Sequence, residues 1–303
     1  MDDVRLTGVT KTFGDHVAVD DLSLAVPKGS VYGFIGPNGS GKTTTLRMIM
    51  NIYYPDRGTV EVFGEPVHGA VTDRIGYLPE ERGLYKKMKV REVLAFYGKL
   101  KGGTDLKRKV ADWLERLELT PWADKKVETL SKGMSQKVQF IATIIAEPEM
   151  VILDEPFSGL DPVNSEVLRD IVLELKSRGT TVIFSTHDMS TAEKMCDFIF
   201  MIFKGRKVLD GTLTEIQDRY GSDTILVRVA DNGDVLTGLE GVNRVVNFGT
   251  LQELRIDEGC DPQRILSTIM SRTKVRHFEL ARPSLYDIFV RIAGPEAQEA
   301  THA

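Results

Sequence analysis

The chain has only two cysteines in 303 residues, Cys196 and Cys260, and neither stands at metal-ligand spacing. A disulfide framework and a zinc centre are both unsupported, and the two thiols read as reduced packing residues in the cytosol. Long apolar runs are missing too. Spanning a bilayer takes roughly 20 apolar residues in a row, and the best runs, FIATIIA (140–146) and FIFMIF (198–203), stop far short of that. The opening MDDVRL has neither the basic stretch nor the apolar core of a secretory signal, so export of the chain is not expected. There is no excess of positive charge: the formal net charge of −5 gives no general field toward nucleic-acid phosphates or acidic lipid. Nucleic acid is therefore not an expected partner.

What is present is an ordinary globular composition, 42% hydrophobic and 27% charged, in a chain long enough for a large domain and a smaller one. Strand-like runs come first: VRLTGVT (4–10), HVAVDDLSLAV (16–26), VYGFIG (31–36) and TVEVFG (59–64). The middle turns helical, with Val93, Leu94 and Tyr97, then Leu106, Val110, Trp113, Leu114 and Leu117, on single faces at helical spacing. These stripes read as core. From 150, MVILD, PVNSEVLRDIVLELKSRG, TVIFS, MSTAEKMC and FIFMIF alternate strand with helix, which predicts a parallel sheet covered by helices. Gly221 and Ser222 mark the expected boundary, after which the residues suggest a small α+β domain over 221–303. Its tail, GPEAQEATHA (294–303), is small and polar and is expected to fray.

Three stretches carry chemistry. VYGFIGPNGSGKTTTLRMIM is a strand, a glycine loop and a helix, the context that makes GPNGSGKT (36–43) a phosphate-binding loop. Gly36, Gly39 and Gly41 let the backbone turn its N–H groups inward while the helix offers its positive end. Lys42 would meet the β- and γ-phosphates and Thr43 would ligate Mg²⁺, so the ligand is a nucleoside triphosphate. MVILDEP (150–156) is a buried strand ending on two carboxylates, with Asp154 the metal-holding candidate, through water, and Glu155 the candidate to polarise an attacking water. VIFSTHD delivers His187 at the carboxyl end of another strand, where ligands of open parallel sheets bind.

Taken in order, GPNGSGKT, LSKGM (130–134), VILDEP, SGLD (158–161) and STHD resemble the ATP-binding subunit of an ABC transporter, over residues 1 to about 220. The resemblance implies an α/β P-loop fold of ABC type: a β-rich N-terminal part, a mostly parallel sheet core and an inserted helical subdomain at about 85–148. It assigns Gly36, Pro37, Asn38, Gly39, Ser40, Gly41, Lys42, Thr43 and Thr44 to nucleotide binding, and Phe13 to stacking on adenine. Phe13 as plain strand packing is the other reading. Two such domains pair head to tail in that family, so Ser131 and Gly133 would complete the ATP site of a second subunit, a copy or a paralogue. Ser131 as the cap of its own helix is compatible with this. Asp161 is likewise a local N-cap ahead of Pro162, to which the resemblance adds a role across the dimer interface.

Two departures from the family pattern stand out. Lys132 and Met134 replace a glycine and a glutamine in the signature, and Glu80 stands where a metal-contacting glutamine is usual, with Glu81 as the alternative. The segment EERGLYKKMKVREVLAF (80–96) corresponds to the part that presses on a membrane permease, although its cluster of Lys86, Lys87, Lys89 and Arg91 reads equally as a solvated face. The C-terminal region resembles the accessory domain of sodium-extrusion and antibiotic-export ATPases. The implied function is a cytoplasmic ATPase subunit, peripheral on the cytoplasmic face of the membrane, which binds ATP and Mg²⁺, dimerises on ATP and drives a separate permease, as an exporter. The alternative is a soluble ATPase of the same type acting on ribosomes or DNA. One ATPase unit and no coiled-coil insertion count against it.

Overall fold

In the computed structural model, which describes all residues except 82, 222–223, 231–232, 248, 250, 258 and 295–303, the chain divides into two units between Thr212 and Leu213. The sequence reading set that boundary eight residues later, beside Ser222, which lies outside the described residues. So does the tail expected to fray, apart from Gly294.

The first unit runs β1 (Asp2–Phe13), β2 (His16–Pro27), β3 (Val31–Ile35), α1 (Lys42–Ile49), β4 (Arg57–Val62), β5 (Glu65–Pro66), α2 (Gly69–Thr72) and β6 (Ile75–Leu78). It continues through α3 (Val90–Leu100), α4 (Leu106–Arg116), α5 (Lys132–Ile144), β7 (Met150–Asp154), α6 (Pro162–Ser177), β8 (Thr181–Thr186), α7 (Met189–Met195), β9 (Phe198–Phe203) and β10 (Arg206–Gly211). Two sheets result. β2-β1-β4-β5 is antiparallel, and β10-β9-β3-β8-β7-β6 is parallel except for the antiparallel edge strand β10.

The strands read differently because they are buried differently. Along β2, Leu22, Leu24 and Val26 are buried while their neighbours are more exposed, the period-two pattern of a sheet with one covered face. Every residue of β3, β7 and β8 is buried. Val151, Leu153, Val182 and Phe184 join a core with Val93, Leu94, Ile141 and Leu168 from the helices. Met150, Ile152 and Ile183 join a second core with Leu6, Leu24, Leu46 and Ile49. A sheet covered on both faces needs apolar residues along its strands, which is why MVIL, residues 150–153, runs without a break before Asp154. The helical stripes are core as expected, with Val93, Leu94, Val110, Leu114 and Leu117 buried and Tyr97, Leu106 and Trp113 packed against them.

The register positions the chemistry. Ile35 pairs with Thr186 and Asp154 with Ser185, so β3, β8 and β7 end side by side. The residues that follow them, Gly36, His187 and Glu155, emerge on one edge of the sheet, where open parallel sheets bind ligands. Among the described residues, no helix is long and apolar enough to cross a membrane.

The second unit comprises α8 (Leu213–Tyr220), β11 (Thr224–Val229), β12 (Val242–Asn247), β13 (Gln252–Ile256), α9 (Pro262–Arg272), β14 (Val275–Ala281) and α10 (Leu285–Ala293). Its antiparallel sheet, β12-β13-β11-β14, buries Ile225, Val227, Leu254 and Ile256 against Ile265 and Ile269 of α9.

Candidate functional site

The loop from β3 to α1 is shaped by backbone crowding. A Cβ on Gly36 would lie 2.2 Å from the Ile202 carbonyl oxygen of β9, and one on Gly41, at φ 109°, would lie 2.6 Å from that of Ala18. Only glycine lets this loop pass so close to its neighbours. Lys42 is buried, and its Nζ donates to the carbonyls of Gly36 at 2.6 Å and Pro37 at 3.1 Å. Burial pushes its pKa below the usual lysine range, opposed by the attraction of Glu155, Asp154 and Glu80.

The Asp154 carboxylate, only 1% exposed, accepts at Oδ1 from the hydroxyls of Ser185 and, at 3.3 Å, of Thr43. Its Oδ2 is buried with no hydrogen-bond partner among the described residues, as is the Ser40 hydroxyl. Glu155 is held in the left-handed region at φ 49°, and its N–H donates to Ser185 Oγ at 3.0 Å. Such a conformation costs on the order of 1–3 kcal/mol for a non-glycine residue and persists where the surroundings over-determine it. It turns the carboxylate toward β8, where Oε1 lies 3.0 Å from Nδ1 of His187.

Phe13, Lys42, Thr43, Thr44, Glu80 and Glu155 line one cleft of about 390 Å³, together with residues 38–41. A smaller hollow of about 40 Å³ shares Glu80 and Glu155 and adds Asp154, Gln136 and Gln139. Of the two candidates after β6, then, Glu80 lines the site and Glu81 does not. Two glutamines of α5 brace the loops: Gln136 donates to the Pro156 carbonyl and Gln139, at 3.5 Å, to that of Pro79. Thr43, Asp154 and Glu80 offer hydroxyl and carboxylate oxygens, and the unpartnered Asp154 Oδ2 is a ready ligand atom. That donor set fits Mg²⁺, which takes one or two carboxylates and completes its shell with water and phosphate. No group of three or more His, Cys, Asp or Glu gathers as a metal site among the described residues.

Ser131, Gly133 and Asp161 do not line this cleft. Ser131 Oγ accepts from the Met134 N–H at 3.3 Å and caps α5, and Asp161 Oδ1 accepts from the Asn164 N–H at 3.0 Å and caps α6. A Cβ on Gly133 would meet nothing nearer than Leu160 Cδ2 at 3.8 Å. The sequence reading missed Ser185, whose hydroxyl links Asp154 to the Glu155 backbone, and His16, which lines the cleft after the turn that follows Phe13. Ser185 opens the STHD motif, but only the pairing of β7 with β8 exposes its tie to Asp154 and Glu155.

Residues 19–158 match the family model described as ABC transporter, and residues 211–293 match that of the ATP-binding protein DrrA1-3-like C-terminal domain. The ABC transporter ATP-binding protein YhaQ of Bacillus subtilis is 42% identical over 288 residues, covering 94% of this chain and 97% of that protein. The chain belongs to the ABC transporter ATP-binding proteins. Another relative of this ABC subunit, the Nod factor export ATP-binding protein I of Burkholderia lata, is 34% identical over 303 residues, 98% of each chain. A solved ATP-binding subunit of an ABC transporter superposes with a TM-score of 0.68 at 29% identity, covering 72% of this chain and 93% of that one. The fold is thus the P-loop type expected, and the subunit is an ATP-binding ATPase. Similarity to transporter subunits over nearly the whole length speaks against the ribosome or DNA alternative.

Proposed function

We propose that this ATPase subunit binds Mg-ATP in the cleft at the ends of β3, β7 and β8, hydrolyses it within a head-to-tail dimer, and drives a separate membrane permease as an exporter. The backbone N–H groups along residues 36–44, Pro37 excepted, and the Lys42 ammonium take the phosphates, and Phe13 stacks on the base. Thr43, Asp154 and Glu80 would hold Mg²⁺, which would supply positive charge to neutralise the phosphates. Glu155 accepts the proton of the attacking water, and His187 fixes the orientation of the Glu155 carboxylate. The observation that carries this reading is Glu155 itself, a strained residue whose carboxylate lines the cleft within 3.0 Å of His187.

The dimer completes the site with Ser131 and Gly133 from the second copy, while Asp161 acts across the interface. Gly133 supports this, because nothing within the described fold requires glycine there. For the permease, support comes from the exposed side chains of Tyr85, Phe96 and Leu100 and from a hollow of about 300 Å³ lined by Tyr97, Leu100 and Ala142. Export follows the Nod factor relative, and a cytoplasmic, membrane-peripheral location follows the permease. The test is Glu155→Gln, expected to bind ATP normally, lose turnover by about 10²- to 10⁴-fold and accumulate as a dimer on ATP by light scattering. A monomer with normal turnover overturns the proposal.

A further inference from the structure

Phe13 closes β1 and is 43% exposed at the cleft, a setting in which a phenyl ring ordinarily samples several rotamers. Here the loop after α1 restrains it from two sides. The Tyr53 ring meets it edge on, with centroids 5.3 Å apart and planes at 70°. Asp56 clamps the strand just before it. Its carboxylate accepts from Lys11 Nζ at 2.9 Å and from both the N–H and the hydroxyl of Thr12 at 2.7 Å, and its own N–H donates to the Thr10 carbonyl at 2.8 Å. Lys11, held by that ion pair, stands over the Phe13 ring with Nζ 5.5 Å from the centroid.

Tyr53 is in turn tied to the phosphate-binding helix. Its hydroxyl accepts from Arg47 Nη1 and its N–H donates to the Arg47 carbonyl, both at 3.2 Å. Arg47 lies in the last turn of α1, the helix that Lys42 begins.

We infer that Tyr53 and Asp56 are positioning residues for the nucleobase: the loop after α1 presets the Phe13 ring, with Tyr53 in edge contact and Lys11 over the ring, and leaves it 43% exposed for stacking. The inference rests on reading the cleft as an ATP site, and goes beyond it by anchoring the base subsite in the helix that carries the phosphate subsite. A preset ring loses little rotamer freedom when a base stacks on it, so its restraint raises affinity for ligands with a base and for no others.

The test uses that difference. ATP and inorganic tripolyphosphate, each with Mg²⁺, are titrated into the full chain and into Tyr53→Leu, Tyr53→Phe and Asp56→Asn. Tyr53→Leu should weaken ATP about three- to tenfold and leave tripolyphosphate unchanged. Tyr53→Phe keeps the ring edge and should bind ATP within about twofold of wild type. Asp56→Asn, at an exposed position, should weaken ATP about two- to threefold, again without affecting tripolyphosphate. Should Tyr53→Leu fail to fold, Asp56→Asn decides alone. Equal losses for both ligands, unchanged ATP affinity, or a Tyr53→Phe variant as weak as Tyr53→Leu overturns the inference. A wild-type protein that binds neither ligand overturns the phosphate-loop reading beneath it.

Discussion

The edge of the sheet at β3, β7 and β8 and the turn at 131–133 both bear residues proposed for nucleotide chemistry, but they are built in opposite ways. At the sheet edge almost every group is determined from within the chain. Gly36 is forced by a carbonyl 2.2 Å from where its Cβ would be, Lys42 is buried in its own loop, and Glu155 is strained into place by Ser185 and His187. At the turn, Ser131 is exposed and satisfied by one capping bond, and Gly133 has room for a side chain. A region over-determined by its own fold can act alone, whereas one whose glycine the fold does not explain points to something outside the chain. The comparison makes the proposed dimer a physical question about two glycines and two caps.

The largest effect belongs to the sheet edge. Lys42→Ala removes a buried cation from the proposed phosphate site and should weaken ATP binding by about 10²-fold, the scale of truncating one partner of a buried charge pair. Isothermal titration checks it, and an unchanged affinity would take Lys42 out of the site. Next comes the turn. Ser131→Arg should cut turnover by at least about tenfold, the scale of losing one charge-assisted hydrogen bond to phosphate, while the same subunit still binds ATP through its own loop. If binding and turnover fell together, the two regions would not be separable halves.

The glycines sharpen the contrast. Gly36→Ala should destabilise the fold, because the Ile202 carbonyl is backbone and cannot swing aside. Gly133→Ala sits inside α5, where alanine is favoured over glycine by about 1 kcal/mol, so its melting temperature should hold or rise. Its turnover should nevertheless fall about three- to tenfold, if a partner's phosphate approaches that backbone. A Gly133→Ala enzyme with wild-type turnover would leave the turn a helix start and nothing more.

Much of the sheet edge was legible in the sequence because its demands are local. A four-residue apolar run, Met150 to Leu153, that stops on Asp154 and Glu155, and a glycine loop between a strand and a helix, suit a phosphate and metal site and little else. What was not legible depends on pairing between distant strands and loops. Ser185 stands in STHD, but its tie to Asp154 exists only once β8 pairs with β7, and nothing in the sequence joins Tyr53 to Phe13. β6 spans only four residues, and its Gly76 is needed because the Thr143 carbonyl would stand 2.4 Å from a Cβ, a contact no local pattern announces. The unit boundary fell at Thr212 because α8 belongs with the second unit, although nothing in LTEIQDRY distinguishes it from the helices before it.

Asp161 offers the smallest effect and the finest test, because its two roles call for different atoms. As the cap of α6 it needs only an oxygen to accept the Asn164 N–H, which asparagine supplies as well. Asp161→Asn should therefore keep the melting temperature within about 1 °C, whereas Asp161→Ala should lower it by about 2–4 °C. That N–H, with the Asn164 side chain, holds the Asp161 carboxyl below the usual range. Its folded pKa lies below the unfolded one, so the stabilisation by its charge is complete above the ordinary value of 3.8 and is lost as pH falls through the lowered one. Asp161→Asn should remove this acid limb. At neutral pH the charge adds only a little to the cap at this exposed position, so a fall in turnover larger than any change in stability reports a role of the carboxylate outside the helix. A loss of turnover of about two- to fivefold in Asp161→Asn with stability intact, the scale of one exposed charge contact, would place Asp161 with Gly133 as a residue that serves the partner. Turnover equal to wild type would return it to the class of residues that the fold alone explains.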